Sequence, residues 1–262
     1  MESMRITLVQ STLFWEDIEA NLEAFGAQLA PLATNTDLIL LPELFTTGFS
    51  MRTDTLAEPM NGPTFQWLLA QAQQLQAAIC GSFICLEQGK YYNRLVWVQA
   101  DGQFFTYDKR HLFAYAGEDR HYTAGQSRLL VNYKGWTICP LICYDLRFPV
   151  WSRNTCDYDL LLYIANFPAR RSFAWRQLLT ARAIENLTYT IGVNRIGKDG
   201  EGIEYSGDSR VMSYDGSLLF DGKDQAFVHT ISLSKEDQLA FRQRFAFLND
   251  RDEFDFNISS TS

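Results

Sequence analysis

Trp136-Thr-Ile-Cys-Pro-Leu-Ile-Cys143 is an almost unbroken apolar run, and Tyr144-Asp-Leu-Arg-Phe-Pro149 follows it with charge and a proline. A short apolar run of this kind reads as a strand covered on both faces. The change to polar residues marks the point where the strand leaves the core. A thiol at that point is held rigidly yet can meet a substrate, which suits a nucleophile. Two other segments have the same form. Leu38-Ile-Leu-Leu-Pro-Glu43 ends in a carboxylate, and Phe104-Phe-Thr-Tyr-Asp-Lys109 ends in an amine. A thiol, a carboxylate and an amine at three strand exits are the parts of a cysteine hydrolase.

The rest of the chain alternates strands and helices. Arg5–Val9 reads as a first strand. Ile18, Leu22, Phe25 and Leu29 recur at helical spacing, so the segment from Trp15 to about Leu32 is expected to be an amphipathic helix. Phe65, Leu68, Leu69, Ala72 and Leu75 mark a second helix behind Gly62-Pro63, with Thr64 as its cap. Trp175, Leu178, Leu179 and Ala183 mark a third over 173–186, capped by Ser172, with Arg182 and Glu185 one turn apart and able to pair. Asp101-Gly102 and Asp215-Gly216 signal hairpins. Further strands are expected at 77–85, 91–99, 103–107, 128–133, 135–143, 159–164, 189–194, 208–214 and 227–233. Asp37-Leu-Ile-Leu…Phe45 weakly echoes Asp159-Leu-Leu-Leu…Phe167, a hint of two similar halves. Two helix-covered sheets packed face to face would use all of these elements. Periodicity alone leaves one mixed sheet equally open.

A length of 262 residues suits one large α/β domain with a full core. The polar stretch after Leu248 is expected to be an extended or mobile tail, so the folded domain is placed at 1–248 and the tail at 249–262. The net charge of −8, with no basic run, argues against nucleic acid as a partner. No apolar stretch reaches the roughly 18 residues of a membrane span, and the N-terminus lacks a signal-peptide core. A cytoplasmic protein is expected. Five cysteines, an odd count, argue against a disulfide framework. Four of them, Cys80, Cys85, Cys139 and Cys156, are expected to be inert small hydrophobes. Neither Cys80/Cys85 nor Cys139/Cys143 has metal-ligand spacing, and only three histidines exist, so no metal and no cofactor is expected. Gly197-Lys-Asp-Gly-Glu-Gly202 has the wrong spacing for a dinucleotide loop and reads as a turn.

Five motifs in order, with Glu43, Lys109 and Cys143 at their heart, resemble the nitrilase superfamily of carbon–nitrogen hydrolases. They are Leu40-Leu-Pro-Glu43, Tyr107-Asp-Lys-Arg-His-Leu-Phe113, Ile142-Cys-Tyr-Asp-Leu-Arg-Phe148, the stretch from Trp175 to Asn186, and Val193-Asn-Arg195. The resemblance spans roughly Arg5 to Leu233. It implies a single-domain, four-layer α-β-β-α sandwich of two mixed sheets, commonly paired into a homodimer. Within the superfamily, Phe45-Thr-Thr-Gly-Phe-Ser-Met51 and Asn166-Phe-Pro-Ala-Arg-Arg-Ser172 are most similar to the ω-amidases. Those enzymes hydrolyse the terminal amide of small 2-oxo dicarboxylic acid monoamides through a thioester and release ammonia.

The resemblance makes Cys143 the nucleophile, Glu43 the general base and Lys109 the oxyanion-stabilising cation, with the backbone N–H of Tyr144 as a second donor. It makes Glu118 a second glutamate that positions Lys109 or the substrate. Arg170 and Arg171 are candidates for gripping a substrate carboxylate, because a guanidinium offers a two-pronged fork. Phe45, Phe113, Tyr144 and Phe167 are candidate pocket walls, with a core position as the alternative for each. A catalytic Cys143 is expected to react with iodoacetamide faster than the other four cysteines. The same triad serves other small amides and nitriles, and a binding protein could keep the fold without turnover.

Overall fold

The computed structural model describes residues 3–32 and 35–255. The N-terminal half supplies β1 (Ser3–Gln10), α1 (Ile18–Leu29), β2 (Leu38–Leu40), α2 (Thr53–Leu56), β3 (Glu58–Pro59), α3 (Pro63–Leu75), β4 (Ala78–Glu87), β5 (Lys90–Val98) and β6 (Phe104–Asp108). The C-terminal half supplies β7 (Val131–Tyr133), β8 (Trp136–Ile142), α4 (Pro149–Ser152), β9 (Leu160–Ala165), α5 (Ser172–Asn186) and β10 (Tyr189–Asn194). It continues with β11 (Ile196–Lys198), β12 (Glu204–Ser206), β13 (Arg210–Met212), β14 (Leu218–Asp221), β15 (Phe227–Ser234) and α6 (Lys235–Arg244).

Two mixed sheets result. One runs β15-β1-β2-β4-β5-β6, with β3 beside β4; the other runs β14-β13-β10-β9-β8-β7. Each has three parallel strands at its centre, β1-β2-β4 and β8-β9-β10, flanked by antiparallel neighbours. Strand alternation explains why the central runs are apolar throughout. In the first sheet Ile6, Leu8, Leu38, Leu40, Ala78 and Cys80 face the second sheet. Val9, Ile39, Leu41 and Ile79 face the other way, against Phe25 and Leu29 of α1 and Leu68 and Ala72 of α3. On the far side, Trp175, Leu179 and Ala183 of α5 close over the second sheet. The order is therefore helix, sheet, sheet, helix, and the four-layer sandwich is the fold, rather than one mixed sheet.

The echo between the halves has a structural counterpart. Asp37 accepts the backbone N–H of Arg5 on the neighbouring strand at 2.8 Å, and Asp159 accepts that of Thr137 at 2.8 Å. Each also holds a lysine, Lys134 at 2.6 Å and Lys235 at 2.7 Å.

Several boundaries differ from the sequence reading. The first helix is shorter, because Asp17 caps it by accepting the Ala20 N–H. Thr64 is not a cap: Gly62 holds that position, and Thr64 donates its N–H and hydroxyl to the buried Glu58 carboxylate. Ser172 is the first residue of α5 rather than its cap. Arg182 and Glu185 do pair, at 2.9 Å. Both hairpins form, with Gly102 and Gly216 at positive φ. Of the Gly197–Gly202 stretch, read as a turn, Gly197 and Lys198 belong to β11 and pair with β12, and only Asp199 to Gly202 lie in the turn of that hairpin. Helix α6 carries no apolar stripe, and Gln238 is its one buried residue, so it left no sequence signal. The segment after Leu248 is tied down at its start, where Arg251 pairs with Asp157 at 2.6 Å; positions 256–262 lie outside the described residues. No helix among the described residues is long and apolar enough to cross a membrane.

Candidate active site

The three strand exits meet at one end of the sandwich. Beyond β8 the chain turns sharply, and Cys143 takes φ 42°, a left-handed value that costs a side-chain-bearing residue on the order of 1–3 kcal/mol. Asp145 holds the turn. Its fully buried carboxylate accepts the Ile142 N–H at 3.1 Å, the Tyr107 hydroxyl at 2.7 Å and the His111 N–H at 3.0 Å, and it contacts His111 Nδ1 at 2.7 Å. Tyr107 and His111 bracket Lys109 in sequence. One carboxylate thus ties the lysine's segment to the cysteine's turn. Arg182 adds a bond to the Leu146 carbonyl at 2.7 Å.

Glu43 is fully buried after β2. Its Oε1 accepts from Lys109 Nζ and from Asn93 Nδ2, both at 2.8 Å, and its Oε2 accepts the Asn166 N–H at 2.7 Å. Lys109 Nζ also donates to both oxygens of Glu118 at 2.9 Å. Glu118 is aimed inward by Gly117, at φ 80° between two short 3-10 turns, and accepts the Phe113 N–H at 2.5 Å. Beyond β9, Asn194 locks the next turn by accepting the Phe167 N–H at 2.8 Å and donating to the Phe167 carbonyl at 2.9 Å.

Two carboxylates and one ammonium leave a net negative charge beside the thiol. Burial, the Glu43 charge and a hydrogen bond to Glu43 push Cys143 well above the usual thiol range, with Lys109 opposing. Burial works against the Lys109 ammonium, but Glu118 and Glu43 outweigh it and hold its pKa well above the ordinary value. Burial and Glu43 raise Glu118, against the pull of Lys109. The resting pair is therefore a neutral thiol on a carboxylate. Burial pushes Cys139 up to about 12 and Cys85 up to about 11. Cys156 departs from the sequence reading, since it is exposed rather than a buried hydrophobe.

A cavity of about 250 Å³ opens above Cys143. Phe113, Tyr144, Phe167, Arg170 and Arg171 line it together with Lys109, as the sequence suggested. Phe45 does not: it is fully buried on the helix-facing side of the first sheet, 5.5 Å from the Phe25 ring, and takes the core position. Phe49, four residues on, is the pocket wall from that turn, with Lys109 Nζ 5.1 Å from its ring centre. The sequence reading also missed Tyr115, Arg147, Asn166 and Tyr205 in the lining and Asn93 beneath it. Arg147 and Asn166 stood inside quoted motifs; Asn93, mid-strand, carried no local signal.

A profile of the carbon-nitrogen hydrolase family matches residues 5–238. Omega-amidase YafV of Escherichia coli strain K12 is 46% identical over 257 residues, covering 97% of this chain and 99% of that protein. A 2-oxoglutaramate amidase of Bacillus subtilis strain 168 is 29% identical over 221 residues, covering 82% and 85%. Among solved structures, XC1258 of Xanthomonas campestris, a CN-hydrolase superfamily protein with an arsenic adduct in its active site, superposes with a TM-score of 0.96 at 44% identity, covering 98% of this chain and 100% of that one. The profile match runs from β1 into α6 and so takes in both sheets: the chain belongs to the carbon–nitrogen hydrolase family.

Proposed function

We infer that the protein is a cysteine-dependent amidase acting on small carboxylate-bearing amides, with 2-oxo dicarboxylic acid monoamides as the preferred class. The observation that carries this reading is a buried Glu43–Lys109–Cys143 cluster beneath a cavity edged by Arg147, Arg170 and Arg171. Similarity over nearly the whole chain to an omega-amidase supports the substrate class.

The chemistry follows from the charges. Glu43 takes the thiol proton as sulfur attacks the amide carbon, so a free thiolate never has to survive beside two carboxylates. The oxyanion is met by Lys109 Nζ and the Tyr144 N–H. Lys109 spends its hydrogens on Glu43 and on both oxygens of Glu118 at rest. One of the two Glu118 contacts is redirected to the oxyanion, while the other keeps the ammonium in place. Glu43 then protonates the leaving ammonia, leaving a thioester. Water activated by the same carboxylate hydrolyses it, and the acid departs. The reading carries with it a homodimer in the cytoplasm, with 1–248 as the catalytic unit.

The test is ammonia release from 2-oxoglutaramate, 2-oxosuccinamate, glutamine, asparagine, neutral aliphatic amides and simple nitriles. The oxo-acid amides should give the highest kcat/KM. Faster turnover of nitriles or neutral amides would replace the substrate class; no ammonia from any amide would remove the activity.

A further inference from the structure

Arg195 stands in the Val193-Asn-Arg195 motif yet takes no part in the chemistry above. Its side chain is fully buried and, among the described residues, forms no salt bridge. Nε donates to the Ile196 carbonyl at 3.2 Å and Nη2 to the Lys198 carbonyl at 3.3 Å, while Nη1 has no partner among the described residues. Burial holds its pKa below the ordinary guanidinium value, against the pull of Tyr205 and Asp199. A buried charge without a counter-ion is costly, and an apolar side chain of similar size would fill the same space more cheaply. What the cation touches points to its role.

Both accepting carbonyls belong to β11, whose hairpin with β12 lies outside the two large sheets. The guanidinium also lies 4.6 Å from the ring centre of Tyr205 on β12. Tyr205 gives its hydroxyl to Asp199 at 2.9 Å, and Asp199 closes the turn by accepting the Glu201 N–H at 3.0 Å and the Ile203 N–H at 2.8 Å. Ile203 and Tyr205 are the hairpin residues that line the cavity; Arg195 itself does not. Nη1 faces Gly48, where an added Cβ would stand 3.3 Å away, and the next residue, Phe49, is the wall beside Lys109. A two-stranded hairpin is marginal by itself in water, so its position needs ties beyond its own ladder. We propose that Arg195 is a positioning residue, a buried cationic strut that bridges β11 to the Tyr205 ring and fixes the Ile203–Tyr205 wall of the cavity against the Gly48–Phe49 turn. Its effect on turnover rests on the amidase reading above. A wall touches substrate and transition state alike, so loosening it should weaken binding more than it slows the chemical step.

The full chain carrying R195M, which keeps an unbranched apolar stem, tests this. In steady-state ammonia release from 2-oxoglutaramate, KM should rise at least about tenfold with kcat within about threefold of wild type. The urea midpoint should be unchanged or higher, because methionine removes an unpaired buried charge. In limited digestion with trypsin, cleavage after exposed Lys198 should rise at least about tenfold relative to cleavage after exposed Lys90 of the β4–β5 hairpin, since local opening governs such cuts. R195K should recover less than half of both shifts, because an ammonium cannot bridge two carbonyls and lie flat on a ring. An unchanged KM in folded R195M, full rescue by lysine, or a lower midpoint with both lysines cut faster in proportion would overturn the strut. If R195M does not fold, R195K decides by the same two shifts in smaller size, and their absence overturns it. Wild type that releases no ammonia from any amide would instead sink the amidase reading, and the Lys198-to-Lys90 cleavage ratio would still decide the strut.

Discussion

Cys143 is an ordinary residue placed in an extraordinary spot: its backbone is left-handed, its sulfur is nearly buried, and its hydrogen-bond partner is a carboxylate. The consequence is a thiol that waits protonated. Cys143→Ala should abolish turnover while the far-ultraviolet dichroism stays native, and Cys143→Ser should be nearly as inactive, because a serine hydroxyl is harder still to ionise beside the same base. Glu43→Gln and Lys109→Ala should each lower kcat at least about a hundredfold; retention of most activity by either variant would strike that residue from the mechanism. The raised thiol also changes the alkylation expectation. Exposed Cys156, beside Arg128 Nη2 at 3.0 Å, should label before Cys143 in the free protein. Mass spectrometry of iodoacetamide-treated protein should therefore show Cys156 first. Cys143 modification should be slower and faster at higher pH, since the pKa is displaced upward. Cys143 labelling first at neutral pH would mean that the site holds a thiolate at rest.

Between elements, two joints decide the geometry. Asp145 binds the turn after β8 to the residues on both sides of Lys109. Asp145→Asn keeps the size but supplies an N–H where only donors converge. It should cost at least about tenfold in kcat with little change in KM, if the folded variant merely misplaces lysine and thiol. A KM rise without a kcat loss would count against that role. The second joint is the packing of α5 on β10. A Cβ on Gly192 would stand 2.5 Å from the Trp175 ring and 2.6 Å from Leu179. Gly192→Ala should therefore destabilise by about 1–3 kcal/mol through overpacking, read as a lower midpoint in denaturant. An unchanged midpoint would show that the helix can retreat freely.

For the whole molecule, charge is divided between a negative chain and a cationic mouth. That division should draw anions in, so kcat/KM for a carboxylate-bearing amide should fall as ionic strength rises, while kcat stays flat. Acid stability depends on a different feature. Burial raises the Asp37 pKa, but Arg5, Lys134 and the Arg5 N–H outweigh it and hold its carboxyl at about 2. A folded pKa below the unfolded value of about 3.9 means stability that is full above pH 4 and lost as pH falls toward 2. With Arg5 and Lys134 both half-exposed, the contribution is about 1–2 kcal/mol. Asp37→Asn should lower stability at pH 7 by that amount and flatten the loss between pH 4 and pH 2. A variant whose unfolding curve matches wild type at both pH values would contradict this.

How much was legible follows from what a local pattern can encode. Apolar runs that end in a charged or polar residue marked the strands and their exits, so β2, β6 and β8, with Glu43, Lys109 and Cys143 beyond them, could be read directly. The amphipathic stripes of α1, α3 and α5 were legible for the same reason, because burial on one face leaves a period. Helix α6 buries Gln238 alone and left none. Phe45 and Phe49 look alike in sequence; only the direction of the turn after Glu43 sends one into the helix-facing core and the other over the lysine. Asn93, Asp145 and Asn194 act through partners 25 to 50 residues away or on other strands, so no window of sequence contains their role. By itself the sequence determined which residues are buried strands, which charged groups stand at their ends, and therefore the class of chemistry. The tertiary structure alone decided which of those ends converge, which thiol stays neutral and which side chains line the cavity above it. Those properties depend on distance and solvent exclusion between segments far apart in the chain, and neither is a property of any one segment.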